Sequence, residues 1–217
     1  MIGIIAALPR EIESLVRGFK PDLKLKQRHI FLYRLPSAIV ACAGMGGERA
    51  GLAVRAALDA GALGLLVSTG LAGACDCALA VGAVVEANQI VDVRSGERFD
   101  GHAGRIVLVT SPAIASVQEK RRLRESYGAS IVDMEAATVA RLAQANGVQF
   151  RAIKAVSDAC DFELDSLAQF ASKRGQFRTG AFALHTALRP QSWRSAMQLG
   201  EGSRRALSAL TEVLRSL

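Results

Sequence analysis

Short β-branched runs and stretches with helical spacing follow one another along this chain from its first residue. Met1 to Ala7 reads as a buried strand, and Pro9 then suits the first position of a helix. That helix would bury Ile12, Leu15, Val16 and Phe19 and stop at Gly18 and Pro21. Strands are predicted at His29–Arg34, Ala38–Ala43, Leu63–Val67 and Arg105–Thr110, with a helix over Glu48–Ala60. Val81–Val93 is a long β-rich run, Arg94–Gly104 a polar loop and Ser116–Tyr127 a basic helix. The stretch from Ala129 to Asp161 carries the sharpest pattern. Its strand Ala129–Asp133 turns at Met134-Glu135 into a helix with Ala136, Val139, Ala140 and Ala143 on one face. Gly147 ends that helix as a left-handed cap, and Phe150–Val156 forms the next strand. After Asp161 the spacing becomes helical, at Leu164–Ser172, at Thr179–Leu188 and from Trp193 onward. Leu207, Leu210, Leu214 and Leu217 make one apolar stripe there, suited to core docking, a subunit contact or a membrane surface. No linker, repeat or low-complexity tract interrupts the pattern. It predicts one α/β domain over residues 1–217, with a helical extension from about residue 164.

Composition narrows this picture. Half of the 217 residues are hydrophobic, enough for a large core and against disorder. The apolar run Ile2–Leu8 is too short for a membrane span and no basic segment precedes it, so a cytoplasmic protein is expected. The four cysteines are few for the length, which argues against a disulfide framework. Cys75 and Cys77 lack a second ligand pair nearby and read as buried or loop thiols, so no metal is expected. The net charge of +7 favours anionic partners, but no nucleic-acid-binding signature accompanies it. Solvated helix faces account for the surplus, and no nucleic-acid partner is expected.

Three carboxylates follow strand ends: Glu11, Glu135 and Asp158. In a parallel sheet these would emerge on one rim, where α/β proteins bind ligands. Glu11 also suits a helix start for its dipole alone. Gly44-Met45-Gly46-Gly47 imitates a dinucleotide fingerprint, but Arg49 holds the third glycine's place and no acidic residue ends the next strand. A turn against phosphate or sugar, or close packing, explains it better. Ser68-Thr69-Gly70-Leu71-Ala72-Gly73 is a second small-residue turn that would let main-chain N–H groups approach a ligand. Carboxylates can hold a vicinal diol, protonate a leaving group and activate water, which together describe cleavage of an N-glycosidic bond. Spacing alone does not select this over other hydrolyses.

Val132-Asp133-Met134-Glu135-Ala136 and Ala155-Val156-Ser157-Asp158 resemble motifs of the nucleoside phosphorylase and methylthioadenosine/S-adenosylhomocysteine nucleosidase superfamily. Gly3 to Glu11 and Thr69-Gly70-Leu71-Ala72-Gly73 resemble the same family in the same order, so the likeness spans about residues 1–160. The resemblance implies a three-layer α/β/α sandwich on a mixed, partly barrel-like central sheet, assembled as a homo-oligomer. It implies that Asp158 protonates the purine N7, Glu135 holds the ribose 2′ and 3′ hydroxyls, and Met134 packs on the sugar. Glu11 would activate the attacking water, Ala72, Gly73 and Gly70 would line the base, and Ala113 would meet the purine edge. No cofactor is implied, with phosphate as co-substrate in a phosphorylase. Leu71, Ser68 and Pro112 depart from familiar members at positions that serve water, phosphate and adenine stacking, and Arg10 or Arg49 could supply another anion site.

Glu119-Lys120, Tyr127-Gly128-Ala129 and Leu188-Arg189-Pro190 are also similar to the hopanoid-associated phosphorylase branch, whose proposed task is removing adenine from an adenosylated hopanoid lipid. Such a substrate would bring peripheral membrane contact. The expectation is therefore an enzyme that cleaves a purine nucleoside, an adenosyl compound above all, by hydrolysis or phosphorolysis. The alternative is a nucleoside-binding protein that has lost turnover on the same scaffold.

Overall fold

The computed structural model describes residues 1–101, 104–162 and 193–217. β1 (Ile2–Ala6) runs between two parallel neighbours, β3 (Ala38–Cys42) and β4 (Leu65–Ser68). β2 (Phe31–Arg34) pairs antiparallel with β3 and forms one end of the sheet. β11 (Gln149–Asp158) joins the halves of the sheet. Its first residues pair in parallel with β4, Gln149 opposite Leu65, and its later ones with β5 (Leu71–Ala74), Ala155 opposite Leu71. β4 and β5 thus follow β11 in one register, as a single strand bent at Thr69-Gly70, where Gly70 has φ +117°.

Beyond β5 come β10 (Ile131–Asp133), β9 (Val107–Thr110), β7 (Gln89–Asp92) and β8 (Arg98–Asp100), while β6 (Val84–Glu86) pairs antiparallel with β11. The sheet is mixed, and its order runs open from β2 to β8 rather than closing into a barrel.

Alternation along the strands distributes side chains to two helical layers. Ile5, Ile39 and Leu66 pack against α3 (Gly47–Ala60), and α5 (Ala136–Ala145) covers the same face. Their neighbours Ile4, Val40 and Val67 pack on the other face with Ile12, Val16 and the buried stripe Ala206, Leu210 and Leu214 of α6 (Trp193–Arg215). In the second half of the sheet Ile90, Leu108 and Ile131 meet α5, whereas Val91, Val109 and Val132 meet Leu123 of α4 (Val117–Tyr127). The result is the three-layer sandwich. Full burial of a residue such as Leu210 contributes about 2 kcal/mol, so α6 docks as part of the core.

Several expectations change. α1 covers only Pro9–Ile12, yet Ile12 and Val16 remain buried because the turns that continue it bond back to the Ile12 carbonyl. Phe19 and Leu217 are exposed, at the ends of their apolar stripes. A short α2 (Leu23–Gln27), capped by Asp22, precedes β2. Part of the expected 94–104 loop pairs as β8, and the expected turn at Leu71-Ala72-Gly73 is strand β5. The helices expected at Leu164–Ser172 and Thr179–Leu188, and the Leu188-Arg189-Pro190 motif, lie outside the described residues. Cys77 and Cys160 form a disulfide, correcting the thiol reading of Cys77; chain folding closes a separation of 83 residues. Cys42 and Cys75 are free, and burial pushes both thiols up to about 12. No helix among the described residues is long and apolar enough to cross a membrane.

Candidate active site

A cavity of about 760 Å³ opens where the ends of β1, β10 and β11 converge. Glu11, Glu135 and Asp158 all line it, and each is more than nine-tenths buried. The expected common rim of parallel strands is not how they meet. β10 runs antiparallel to β5, which is itself parallel to β11, so β10 and β11 point in opposite directions. Register brings them together instead, because Gly73 of β5 lies opposite both Val132 of β10 and Asp158 of β11.

Glu11 is fixed by main chain. Its Oε2 accepts the Ala7 and Leu8 N–H groups at 2.9 Å each, and its Oε1 accepts the Leu71 N–H at 3.4 Å. A Cβ on Gly70 would stand 2.8 Å from that Oε2, so Gly70 serves by leaving space under Glu11 and is not a lining residue. Glu135 Oε1 accepts the Gly46 N–H at 2.6 Å, from a turn in which Gly44 and Gly46 have φ of +127° and +90°, a region that favours glycine. Burial, reinforced by the Asp133 charge and opposed by Lys154, pushes the Glu135 carboxyl up to about 7.

Asp158 has two side-chain partners. Ser157 Oγ donates to its Oδ1 at 2.5 Å, and Lys120 Nζ to its Oδ2 at 2.5 Å. Gly73 makes room for the pair: a Cβ there would lie 3.0 Å from Asp158 Oδ2 and 3.1 Å from Lys120 Cε.

Under the carboxylates lies Lys154, 1% exposed, whose Nζ is 2.9 Å from Asp133 Oδ2 and donates to the Thr69 carbonyl at 3.1 Å. Burial by itself would lower the Lys154 pKa, but Asp133, Glu135 and Glu11 together hold it above its ordinary value. Asp133 also accepts from the Ala136 N–H and from Thr110 Oγ1, fixing the start of α5 behind Glu135.

Met134, Ala72, Gly73 and Ala113 line the cavity, as does Arg10 at its α1 side. Arg49 does not: its guanidinium donates to the Ala43 and His29 carbonyls, and it lies outside the lining. Ser68 is fully buried in β4 and also outside the lining. No group of three or more metal-ligating side chains occurs among the described residues.

Lys120, Lys154, Asp133 and Ser157 have no role in the sequence reading, although Lys120, Asp133 and Ser157 stand inside the motifs that carry the resemblance. Two left signals: Lys154 interrupts an apolar strand, and Lys120 shares a helical face with Leu123 and Tyr127.

The sequence model of the phosphorylase superfamily matches residues 1–115 and 99–188. The chain belongs to the phosphorylase superfamily. Membership makes it an enzyme of the nucleosidase and nucleoside phosphorylase kind. No curated protein matches the chain.

Solved structures similar to this superfamily member include a Helicobacter pylori methylthioadenosine nucleosidase mutant with 5′-methylthioadenosine in its active site. The two share 17% identity over 99% of this chain and 96% of that one, with a TM-score of 0.72. The Neisseria meningitidis methylthioadenosine/S-adenosylhomocysteine nucleosidase with methylthio-immucillin-A shares 20% identity over 100% and 99% of the two chains, at a TM-score of 0.70. Futalosine hydrolase of Helicobacter pylori shares 17% identity over 99% and 95%, at 0.71. At these identities the likeness establishes the fold of the superfamily member.

Proposed function

We propose that the protein hydrolyses the N-glycosidic bond of a purine nucleoside, an adenosyl compound, and releases the free base. The observation that carries this reading is the convergence of Glu11, Glu135 and Asp158 on one cavity, each held by partners of its own. Glu135, when ionised, accepts the 2′ and 3′ hydroxyls of the ribose while Met134 packs beside the sugar. Asp158 delivers a proton to N7 as the bond to the base breaks, so that the base leaves neutral. Glu11 takes a proton from the water that adds to the anomeric carbon. Such proton transfers contribute about 10²–10⁴-fold each. A protein that only bound nucleosides would need Glu135 alone.

Water is favoured over phosphate as nucleophile. The Ala7, Leu8 and Leu71 N–H groups that could cradle an anion are occupied by the Glu11 carboxylate. Glu11 and Glu135 would also repel a phosphate held between them. In this reading the adenine ring packs against Ala72, Gly73 and Ala113, and the 5′ substituent runs along α6 near Leu207 and Thr211; all five residues line the cavity. The cavity also reaches the exposed Arg17 and Glu212, so it is open along α6 and leaves room for a long 5′ substituent. An adenosylated hopanoid-type lipid is the second reading for it, although Ser203, Ser208 and Thr211 make that side of the cavity polar.

The test is release of free base from 5′-methylthioadenosine, adenosylhomocysteine, adenosine and inosine, with and without phosphate. Asp158→Asn is expected to lose about 10²-fold or more; undiminished activity would sink the mechanism. Glu11→Gln should lose turnover in phosphate-free buffer. Turnover that requires phosphate and survives Glu11→Gln would make the reaction phosphorolysis.

A further inference from the structure

On the reading that Asp158 is the acid, we infer that its proton is supplied by Lys120, so that the acid of this site is a buried lysine–aspartate pair rather than a lone carboxylate. Lys120 is 1% exposed and yet lines the cavity. Its ammonium carries three hydrogens and has three acceptors: Asp158 Oδ2 at 2.5 Å, the Ala159 carbonyl at 2.8 Å and the Phe162 carbonyl at 3.5 Å. No donor remains for a phosphate or a sugar oxygen, which separates Lys120 from an anion-binding lysine.

A purely stabilising role does not explain the pair. Well-packed apolar residues usually match or exceed a buried ion pair in stability. The surroundings are nevertheless built around it. α4 is capped at its start by Ser116 and at its end by the left-handed Gly128, and Leu123 anchors it in the core, which fixes where Lys120 projects. Gly73 leaves the space that Lys120 Cε and Asp158 occupy, and Ser157 holds the other carboxylate oxygen. Of the nearby charged groups on α4, Arg124 pairs with Asp76 and Glu119 with Arg122, which leaves the Lys120–Asp158 contact to itself. The Cys75 thiol nearby is pushed up to about 12, chiefly by burial, and stays protonated at neutral pH.

The step balances as follows. The C1′–N9 electron pair moves into the purine, and N7, made basic by it, takes a proton relayed through Asp158. The Asp158 carboxylate accepts that proton from the Lys120 ammonium, leaving a neutral amine, and passes it on to N7. Water adds its oxygen to C1′ and gives one of its protons to Glu11, and solvent then returns a proton to Lys120 and takes one from Glu11. Lys120 acts through Asp158 and is a positioning and proton-supplying residue.

Two variants test this, with Asp158→Asn beside them. Lys120→Arg keeps the charge and donors but releases no proton; Lys120→Met removes both. Each is assayed on the purine nucleosides above and on 4-nitrophenyl β-D-ribofuranoside, whose leaving group needs no protonation. For purine substrates, kcat should fall by about 10²-fold or more in both variants, with KM within about threefold of wild type. Cleavage of the aryl riboside should be retained, as in Asp158→Asn. Full purine turnover by Lys120→Arg overturns the inference, as does parallel loss on both substrate types or misfolding of both variants, any of which makes Lys120 structural. If Asp158→Asn loses purine cleavage while the Lys120 variants keep it, the nucleosidase reading stands and the inference alone falls. A wild-type protein that cleaves no purine nucleoside overturns both.

Discussion

Lys154 and Asp133 form an ion pair of 2.9 Å in the floor of the site, their side chains 1% and 0% exposed. The same ammonium is the buried positive charge that balances Glu135 and Glu11. Removing one partner of such a pair leaves an uncompensated charge in low dielectric. We expect Lys154→Met to cost about 3–5 kcal/mol in urea unfolding, and Lys154→Met with Asp133→Asn to recover part of it. Additive losses in the double variant would show that the two residues are not coupled.

Glu135 predicts a pH dependence. On the proposed reading its carboxyl, pushed up to about 7 by burial and by Asp133, must be ionised to accept both ribose hydroxyls. KM for a ribonucleoside should therefore rise as pH falls below about 7, by about tenfold per unit once the group is protonated, while a 2′,3′-dideoxy analogue shows no such trend. Stability has the opposite sign. Between the model-compound value of 4.5 and about 7 the folded state binds more protons than the unfolded one, so the ligand-free protein should lose stability as pH rises through that window. Glu135→Gln should flatten the profile measured by denaturant unfolding.

The two glycines of the bent strand predict separable defects. Gly70→Ala places a Cβ 2.8 Å from Glu11 Oε2 at φ +117°, and should cost about 1–3 kcal/mol and displace Glu11 from the position proposed for activating water. Gly73→Ala instead crowds Asp158 and Lys120, so purine cleavage should fall by about 10²-fold while cleavage of an aryl riboside is spared. Equal effects on both substrates would show that Gly73 serves only packing.

The Cys77–Cys160 disulfide ties the segment after β5 to the residues just beyond Asp158. Closing so long a loop should stabilise the fold by about 4 kcal/mol in the chain-entropy account. Titration of the denatured, unreduced protein should find two thiols, Cys42 and Cys75. Cys160→Ser should lower the melting temperature by about 8–16 °C, at about 2–4 °C per kcal/mol for a domain of this size.

Much of the architecture was legible because it is local. The helical spacing around Val139 and Ala143, the capping Gly147 and the apolar strand Phe150–Val156 all appear where periodicity put them. The three carboxylates were found for the same reason, each standing beside a strand end in its own segment. Their meeting was not local. It depends on the antiparallel register of β10 on β5, opposite in direction to the shared parallel rim that alternating strands and helices suggest.

The sequence by itself determined most element types and the three carboxylates beside strand ends, since side-chain period and strand-end position are properties of neighbouring residues; the three layers came from the family resemblance, not from periodicity. Only the tertiary structure decided what those acids touch. Lys120 reaches Asp158 across 38 residues, Lys154 reaches Thr69 across 85, and Cys77 reaches Cys160 across 83. Pairings at such separations follow from register and helix docking, which no periodicity encodes. Charge compensation in a buried site is set by those pairings.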